Sequence, residues 1–197
     1  MSAYLRTWVG VVFVACALAG CGGSGPSFKN TDITGADYGK DFALTDHTGK
    51  TRTLADFRGK AVVMFFGYTR CPDVCPTTLA ELKAVKEQLG EDGKRLQVLF
   101  VTVDPERDTQ KLLANYVPAF DPSFIGLYGD SAATAKVAKD FRVFYQKSPG
   151  KTPESYTVDH TAGSYVFDPQ GRLRLFVRHG NAANLAADVR VLLNASG

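Results

Sequence analysis

Two cysteines lie four residues apart, each followed by a proline, in the segment Cys71-Pro72-Asp73-Val74-Cys75-Pro76. Thiols at this separation can form a disulfide, or they can act together as two soft ligands for a metal ion. Three residues separate the first of them from the apolar run at 61–67, which lacks polar alternation and so indicates a strand buried on both faces. The sequence therefore predicts thiol–disulfide chemistry or soft-metal binding at the end of a central strand.

The helix after this segment is expected to influence the thiols. Pro76 suits the first helical position, so Cys75 is predicted to be the N-cap of a helix that extends to Leu89, with Gly90 after its end. A thiolate at the N-cap would face the positive end of the helix dipole, which would lower its pKa. Arg70 could add a positive charge nearby.

A histidine would turn the thiol pair into a three-ligand metal site, and the chain contains three. His47 is predicted to lie in solvent at a hairpin tip, and His179 to have a structural or exposed role. His160 precedes a strand predicted at 164–168. If that strand runs antiparallel to 61–67, its start lies at the sheet edge where the cysteines stand. The alternative is a hydrogen-bonded loop histidine with no part in the site.

Two thiolates and one imidazole would favour copper(I). Structural zinc needs four ligands, and the folded part of the chain has no further cysteine or neighbouring histidine to provide the fourth. Covalent haem is excluded because no C-x-x-C-H motif is present. Asp73 or Asp159 could add a ligand or orient His160, although such residues more often cap turns.

Three acids follow the second buried strand, in the segment 103–109. Asp104 is expected at the same sheet edge as the cysteines, where it could influence their proton affinity. The better supported interpretation is a turn in which Asp108 is the N-cap of the next helix.

The predicted elements form a thioredoxin-like α/β domain with an N-terminal β-hairpin extension and an inserted loop before the C-terminal β-hairpin. Its centre is a parallel, right-handed βαβ unit made by a strand at 61–67, a helix at 76–89 and a strand at 96–103. The other predicted elements are a hairpin at 42–44 and 51–53, a helix at 108–116, a strand at 124–128, a helix at 131–140, a polar loop at 148–157, a hairpin at 164–168 and 173–177 with a type I turn, and a helix at 181–193.

The first twenty residues have the pattern of a signal peptide. Their apolar stretch at 8–19 has 12 residues, fewer than the roughly 20 that span a bilayer. Leu18-Ala19-Gly20-Cys21 resembles a bacterial lipobox. We therefore expect a lipoprotein signal peptide at 1–20, a lipidated Cys21 with a flexible tether over 21–36, and the domain at 37–197. The alternative is an apolar anchor that stays attached, and both place the domain outside the cytoplasm at a membrane.

Composition excludes several functional classes. A formal net charge of +3 without a Lys/Arg cluster argues against nucleic acid as a partner. A content of 45% hydrophobic and 22% charged residues is typical of one globular domain. Processing would remove Cys16 and occupy Cys21, which leaves too few thiols for a framework of several disulfides.

Three separated motifs resemble those of the Sco/SenC copper-delivery proteins of cytochrome c oxidase assembly. They are the cysteine segment at 67–76, the acidic segment at 103–109, and Asp159-His160-Thr161. The resemblance extends in matching order from about Asp41 to the C-terminus. One small departure is Gln110, where many relatives have proline, and it puts nothing catalytic in doubt.

This resemblance implies that Cys71, Cys75 and His160 are copper ligands and that Cys71 and Cys75 form a disulfide on oxidation. It also implies delivery of copper to the dinuclear copper site of oxidase subunit II, reduction of that site's disulfide, or both, with a copper donor protein or thiol reductase as a further partner. The chain would be a lipid-anchored monomer at the periplasmic face of a bacterial membrane.

A second hypothesis is a periplasmic thiol–disulfide reductase that uses Cys71 and Cys75 and for which His160 is dispensable. The four-residue spacing favours copper, because thioredoxin-like reductases usually carry C-x-x-C. Peroxide reduction is a weaker third hypothesis, since the P-x-x-x-T-x-x-C approach to a peroxidatic cysteine is missing.

Overall fold

The computed structural model describes residues 26–152 and 155–195. The predicted lipobox and Cys21 lie outside the described residues. Among the residues that the structure describes, no helix is both long and apolar enough to cross a bilayer. The strands are β1 (Thr31–Asp32), β2 (Leu44–Asp46), β3 (Thr51–Arg52), β4 (Ala61–Gly67), β5 (Leu96–Thr102), β6 (Ile125–Tyr128), β7 (Tyr145–Ser148), β8 (Thr157–His160), β9 (Gly163–Phe167) and β10 (Leu173–Arg178). The helices are α1 (Val74–Leu89), α2 (Gln110–Tyr116), α3 (Ser131–Asp140) and α4 (Leu185–Asn194), with short 3-10 helices at Leu54–Phe57, Gly90–Arg95 and Ala182–Asn184.

Eight strands form one mixed sheet in the order β1-β10-β9-β4-β5-β6-β2-β3. The central strands β4 and β5 pair in parallel and β9 pairs antiparallel to β4. This confirms the predicted thioredoxin-like α/β fold, with the β2–β3 hairpin as its N-terminal extension. Every residue of β4 and β5 is buried, as the absence of polar alternation indicates for strands covered on both faces.

Successive residues of β4 supply the two faces of the core. The ring of Phe65 packs against Phe100, while the ring of Phe66 packs against Phe141 and Tyr165. Helix α1 covers one side with a buried stripe that begins at the site itself. The stripe consists of Cys75, Thr78, Leu79, Leu82, Val85 and Leu89.

Two predicted helix starts are wrong. Helix α1 begins at Val74 with Asp73 at its N-cap, so Cys75 is the second helical residue rather than the cap. Pro76 is tolerated at the third position because the first four N–H groups of a helix have no intrahelical partner. Helix α2 has Thr109 as its N-cap, whose Oγ1 accepts from the Leu112 N–H at 3.2 Å.

The predicted loop at 148–157 is present as the connection between two strands that were not predicted, and only its end residues Ser148 and Thr157 belong to those strands. Strands β7 and β8 pair antiparallel over four residues each and form a two-stranded sheet of their own. Their sequences, Tyr-Gln-Lys-Ser and Thr-Val-Asp-His, are mostly polar and lack an apolar period. This hairpin therefore escaped prediction, and it carries His160 at its end.

Part of the predicted tether at 21–36 belongs to the folded domain. Strand β1 pairs with β10, and the ring of Phe28 lies under the Arg174 guanidinium. The buried carboxylate of Asp188 accepts hydrogen bonds from the backbone N–H groups of Lys29 and Asn30 at 2.7 and 2.9 Å. The packed structure therefore begins before residue 37.

Candidate metal centre

The structure brings together Cys71, Cys75 and His160. Cys71 lies in the loop that leaves β4, Cys75 lies in the first turn of α1, and His160 ends β8. Their two sulfurs and one imidazole nitrogen all lie within 4.8 Å of one another. Strand β9 pairs antiparallel to β4 with Ser164 opposite Phe65, so the chain just before β9 arrives where β4 ends. The expected approach of His160 to the thiols is therefore what the fold produces.

The spacing of the ligand atoms suits a single metal ion. Cys75 Sγ lies 3.5 Å from His160 Nε2. Bond lengths of about 2.3 Å to sulfur and about 2.0 Å to nitrogen, as in zinc sites, place the ligand atoms of one ion roughly 3.5–4 Å apart. Only small side-chain movements are needed to close all three ligands around an ion.

The imidazole of His160 is held by the backbone beside it. Its Nδ1 lies 3.1 Å from the carbonyl oxygen of Thr161. A carbonyl can only accept, so Nδ1 carries the proton and Nε2 presents its lone pair toward Cys75 in the neutral ring. The rings of Phe65 and Tyr68 contact the imidazole edge-on, with centroid distances of 6.1 and 6.0 Å.

The two aspartates considered as ligands lie elsewhere. Asp159 is exposed and accepts a hydrogen bond from Ser148 Oγ at 2.6 Å. Asp73 is exposed at the start of α1. The hydrogen-bond partner of His160 is thus a backbone carbonyl rather than Asp159.

Burial sets the electrostatics of the site. Cys75 is fully buried, and desolvation raises the pKa of its thiol, with Cys71 and Asp108 adding to the shift. The predicted lowering by the helix dipole is therefore wrong, because the low-dielectric surroundings outweigh the helix start. Burial also lowers the pKa of His160. Both groups are neutral near pH 7, and Arg70 is exposed to solvent.

The acid that acts on Cys75 is Asp108 rather than the predicted Asp104. Asp108 is not an N-cap: its buried carboxylate accepts from Thr69 N at 3.0 Å, from Thr69 Oγ1 at 2.6 Å and from Thr102 Oγ1 at 2.6 Å. Burial raises the pKa of Asp108, and these hydrogen bonds oppose the shift. Asp104 follows β5 as expected, but its buried carboxylate pairs with Arg107.

The other two histidines are not ligands in this group. His47 is half-buried and bonds β6 through both its backbone and its ring, since its Nδ1 accepts from Gly126 N at 3.0 Å. Its predicted place in solvent is therefore wrong. His179 is exposed and lies with Nδ1 3.0 Å from Thr78 Oγ1, in keeping with the predicted structural or exposed role.

Several aromatic side chains around the site were not identified from the sequence. They are Tyr68, Tyr116 and Tyr156. Tyr116 ends a helix and Tyr156 stands in a loop, where neither periodicity nor a motif marks them. Tyr68 lies inside the cysteine motif at 67–76, but nothing in that motif predicts that its ring contacts His160. Arg107 lies inside the acidic motif, but nothing in that motif predicts that its guanidinium stacks on Tyr156.

Comparison with known proteins adds a family to this geometry. A family model described as SCO1/SenC matches residues 30–194. The chain is 41% identical over 150 residues to the mitochondrial SCO2 homolog of Bos taurus, which covers 75% of this chain and 56% of that protein. It thus spans just over half the length of that relative.

Two solved structures have the same architecture. Bradyrhizobium japonicum ScoI with copper bound has a TM-score of 0.72 and 42% identity, covering 80% of this chain and 99% of that one. The apo Sco1 protein of Thermus thermophilus has a TM-score of 0.71 and 43% identity, covering 89% of this chain and 100% of that one.

Proposed function

The chain belongs to the SCO1/SenC family, whose members bind copper and act in cytochrome c oxidase assembly, and we propose that it is an extracytoplasmic copper metallochaperone. Its cargo would be copper held by Cys71, Cys75 and His160, and its target the dinuclear copper site of oxidase subunit II. A signal peptide at 1–20 and a lipid on Cys21 would anchor the monomer to a bacterial membrane at its periplasmic face.

The observation that carries this proposal is the convergence of two sulfurs and one imidazole nitrogen within 4.8 Å. Two thiolates and one imidazole form a soft, three-ligand set, which suits copper(I) better than zinc or a hard cation. Exposure is graded across the set: Cys75 is fully buried, whereas Cys71 and His160 are half-buried. A partner's ligand can therefore reach the metal while Cys75 keeps it in place.

The proposal is tested by anaerobic titration of the reduced protein with copper(I), combined with X-ray absorption to count ligands. We expect one copper per chain, bound by two sulfurs and one nitrogen. Mutation of a residue that only hydrogen-bonds to a metal ligand already lowers metal affinity by about 10–100-fold. Because His160→Ala removes a ligand itself, it should weaken copper retention by at least about 100-fold. Unchanged retention in His160→Ala would refute the three-ligand site.

A thiol–disulfide reductase remains the second candidate because of the arrangement of the two sulfurs. Cys71 Sγ accepts a hydrogen bond from Cys75 N at 3.4 Å, so the two residues are in contact. Half-buried Cys71 could attack a substrate disulfide, and buried Cys75 could then resolve the mixed disulfide. Reduction of a substrate disulfide by the metal-free protein, lost in Cys71→Ser and retained in His160→Ala, would favour this role.

A further inference from the structure

The loop after β5, residues 103–109, contacts both halves of the metal centre, and we call it the bridging loop. On the thiol side, Asp108 accepts two hydrogen bonds from Thr69, two residues before Cys71. Both of these bonds, at 3.0 and 2.6 Å, end on a buried carboxylate. The bridging loop therefore fixes the segment that carries the thiols.

On the imidazole side, the bridging loop holds Tyr156, the residue directly before β8. Tyr156 Oη donates to Asp104 Oδ1 at 2.7 Å, and Arg107 Nη1 donates to the carbonyl oxygen of Tyr156 at 2.8 Å. The Arg107 guanidinium also lies 3.5 Å above the ring of Tyr156 and 5.8 Å from the ring of Tyr68. Tyr156 is thereby joined to the bridging loop through its hydroxyl, its ring and its backbone.

The β7–β8 hairpin needs such an attachment because it is separate from the main sheet. It is held by four residue pairs, among them Tyr145 with His160. Isolated two-stranded hairpins are only marginally stable in water. The register of β9 on β4 brings His160 to the thiols, and the orientation of its imidazole toward Cys75 then depends on what holds this hairpin to the domain.

We propose that Tyr156 is a positioning residue for the metal centre. Its contacts with Asp104 and Arg107 hold β8 so that the His160 imidazole faces the thiols, and this sets how long a soft metal ion such as copper(I) is retained. The part that concerns the metal rests on the proposed function. The part that concerns the hairpin does not, and it can be measured without metal.

The first experiment measures hydrogen exchange of the β7 and β8 amides in the metal-free, reduced protein. Tyr156→Phe removes the hydrogen bond to a buried carboxylate and keeps the ring on Arg107. We expect about tenfold faster exchange confined to these two strands, because hydrogen bonds to charged groups are the stronger ones. Unchanged exchange, or an increase spread over the whole domain, would overturn the proposal.

Tyr128→Phe is the matched control. Tyr128 is also half-buried, and it lies at the end of β6, away from the hairpin. Its Oη donates to Gln110 Oε1 at 3.0 Å. This variant should leave exchange in β7 and β8 unchanged. An equal acceleration in both variants would show a general loss of stability and would overturn the proposal.

The second experiment is a double-mutant cycle on copper(I) release to an excess of chelator. Tyr156→Phe should release copper(I) about tenfold faster in the wild-type background and have no further effect in His160→Ala, because Tyr156 acts through the imidazole. Equal effects in both backgrounds would overturn the positioning role. If the wild-type protein retains no copper(I), the proposed function fails, and the exchange experiment still decides on the role of Tyr156 in holding the hairpin.

Discussion

Copper(I) affinity should rise with pH throughout the range 7–9 because of the buried Cys75 thiol. Desolvation raises its pKa above the ordinary value of 9.0, so the metal-free thiol keeps its proton over this range. Ligation requires the thiolate, so each bound ion displaces one proton from Cys75. The His160 imidazole, whose pKa is lowered by burial, is already neutral and contributes no proton here.

The size of the effect follows from this proton. One displaced proton makes the apparent affinity rise tenfold per pH unit, so Cys75 alone gives about 100-fold, or about 2.7 kcal/mol, between pH 7 and 9. The assay is anaerobic competition for copper(I) with a chelator whose own affinity is constant over this range. The logarithm of the association constant should rise with a slope of at least one up to pH 9.

The shape of this curve separates burial from the helix-dipole interpretation. A thiol at an exposed helix start would already be ionised by pH 9, and the slope would fall toward zero in the upper half of the range. Such a plateau would refute the reasoning from burial. In Cys75→Ser the slope should fall by one unit, which assigns the proton to this residue.

Three further predictions concern the groups around the site and the start of the domain. Gly67→Ala places a Cβ 2.8 Å from Cys75 Sγ and 3.0 Å from the ring of Phe100. We expect chemical denaturation to show a free energy of unfolding lower by about 1–3 kcal/mol, together with weaker copper(I) retention. Unchanged retention would contradict the close packing. Tyr116→Phe removes a buried hydroxyl that has no hydrogen-bond partner among the described residues. Chemical denaturation should therefore show a free energy of unfolding that is unchanged or raised by about 1 kcal/mol. A clear loss of stability would reveal a hydrogen-bond partner. Asp188→Ala removes the carboxylate that accepts from the backbone N–H groups of Lys29 and Asn30. We expect a free energy of unfolding lower by about 1–3 kcal/mol and faster limited proteolysis before β1. An unchanged rate of cleavage would mean that the pairing of β1 alone holds this segment.

The sequence predicts the centre of the fold well because its signals there are strong and local. The apolar runs of β4 and β5 and the stripe on α1 each require burial, and one parallel βαβ unit satisfies all three. The hairpin of β9 and β10 follows from its turn, in which Gly171 N donates to Asp168 O at 2.7 Å. The approach of His160 to the thiols is predictable once β9 is placed beside β4.

The remaining features depend on contacts between distant segments. The shift of the Cys75 pKa has the opposite sign to the prediction because it depends on how many atoms surround the sulfur, which spacing does not encode. The polar strands β7 and β8 are defined only by their pairing with each other. The position of Tyr156 depends on Asp104, 52 residues earlier in the chain.

Because of these distant contacts, the His160 imidazole can move more easily than the Cys75 sulfur. This difference should decide the order in which the ligands release a metal. Cys75 is packed between α1 and the end of β4, so moving its sulfur would disturb the core. His160 belongs to a small separate hairpin, so moving its imidazole breaks contacts of that hairpin and the edge-on contacts with Phe65 and Tyr68 but leaves the main sheet paired. An incoming ligand from a partner protein should therefore replace His160 first and leave the ion on both sulfurs. A reductase needs no such order, because its chemistry uses the sulfurs alone. Trapping a transfer intermediate with two sulfur ligands from this chain and none from His160 would support the carrier, whereas one that retains the imidazole and has lost Cys75 would contradict this order of release.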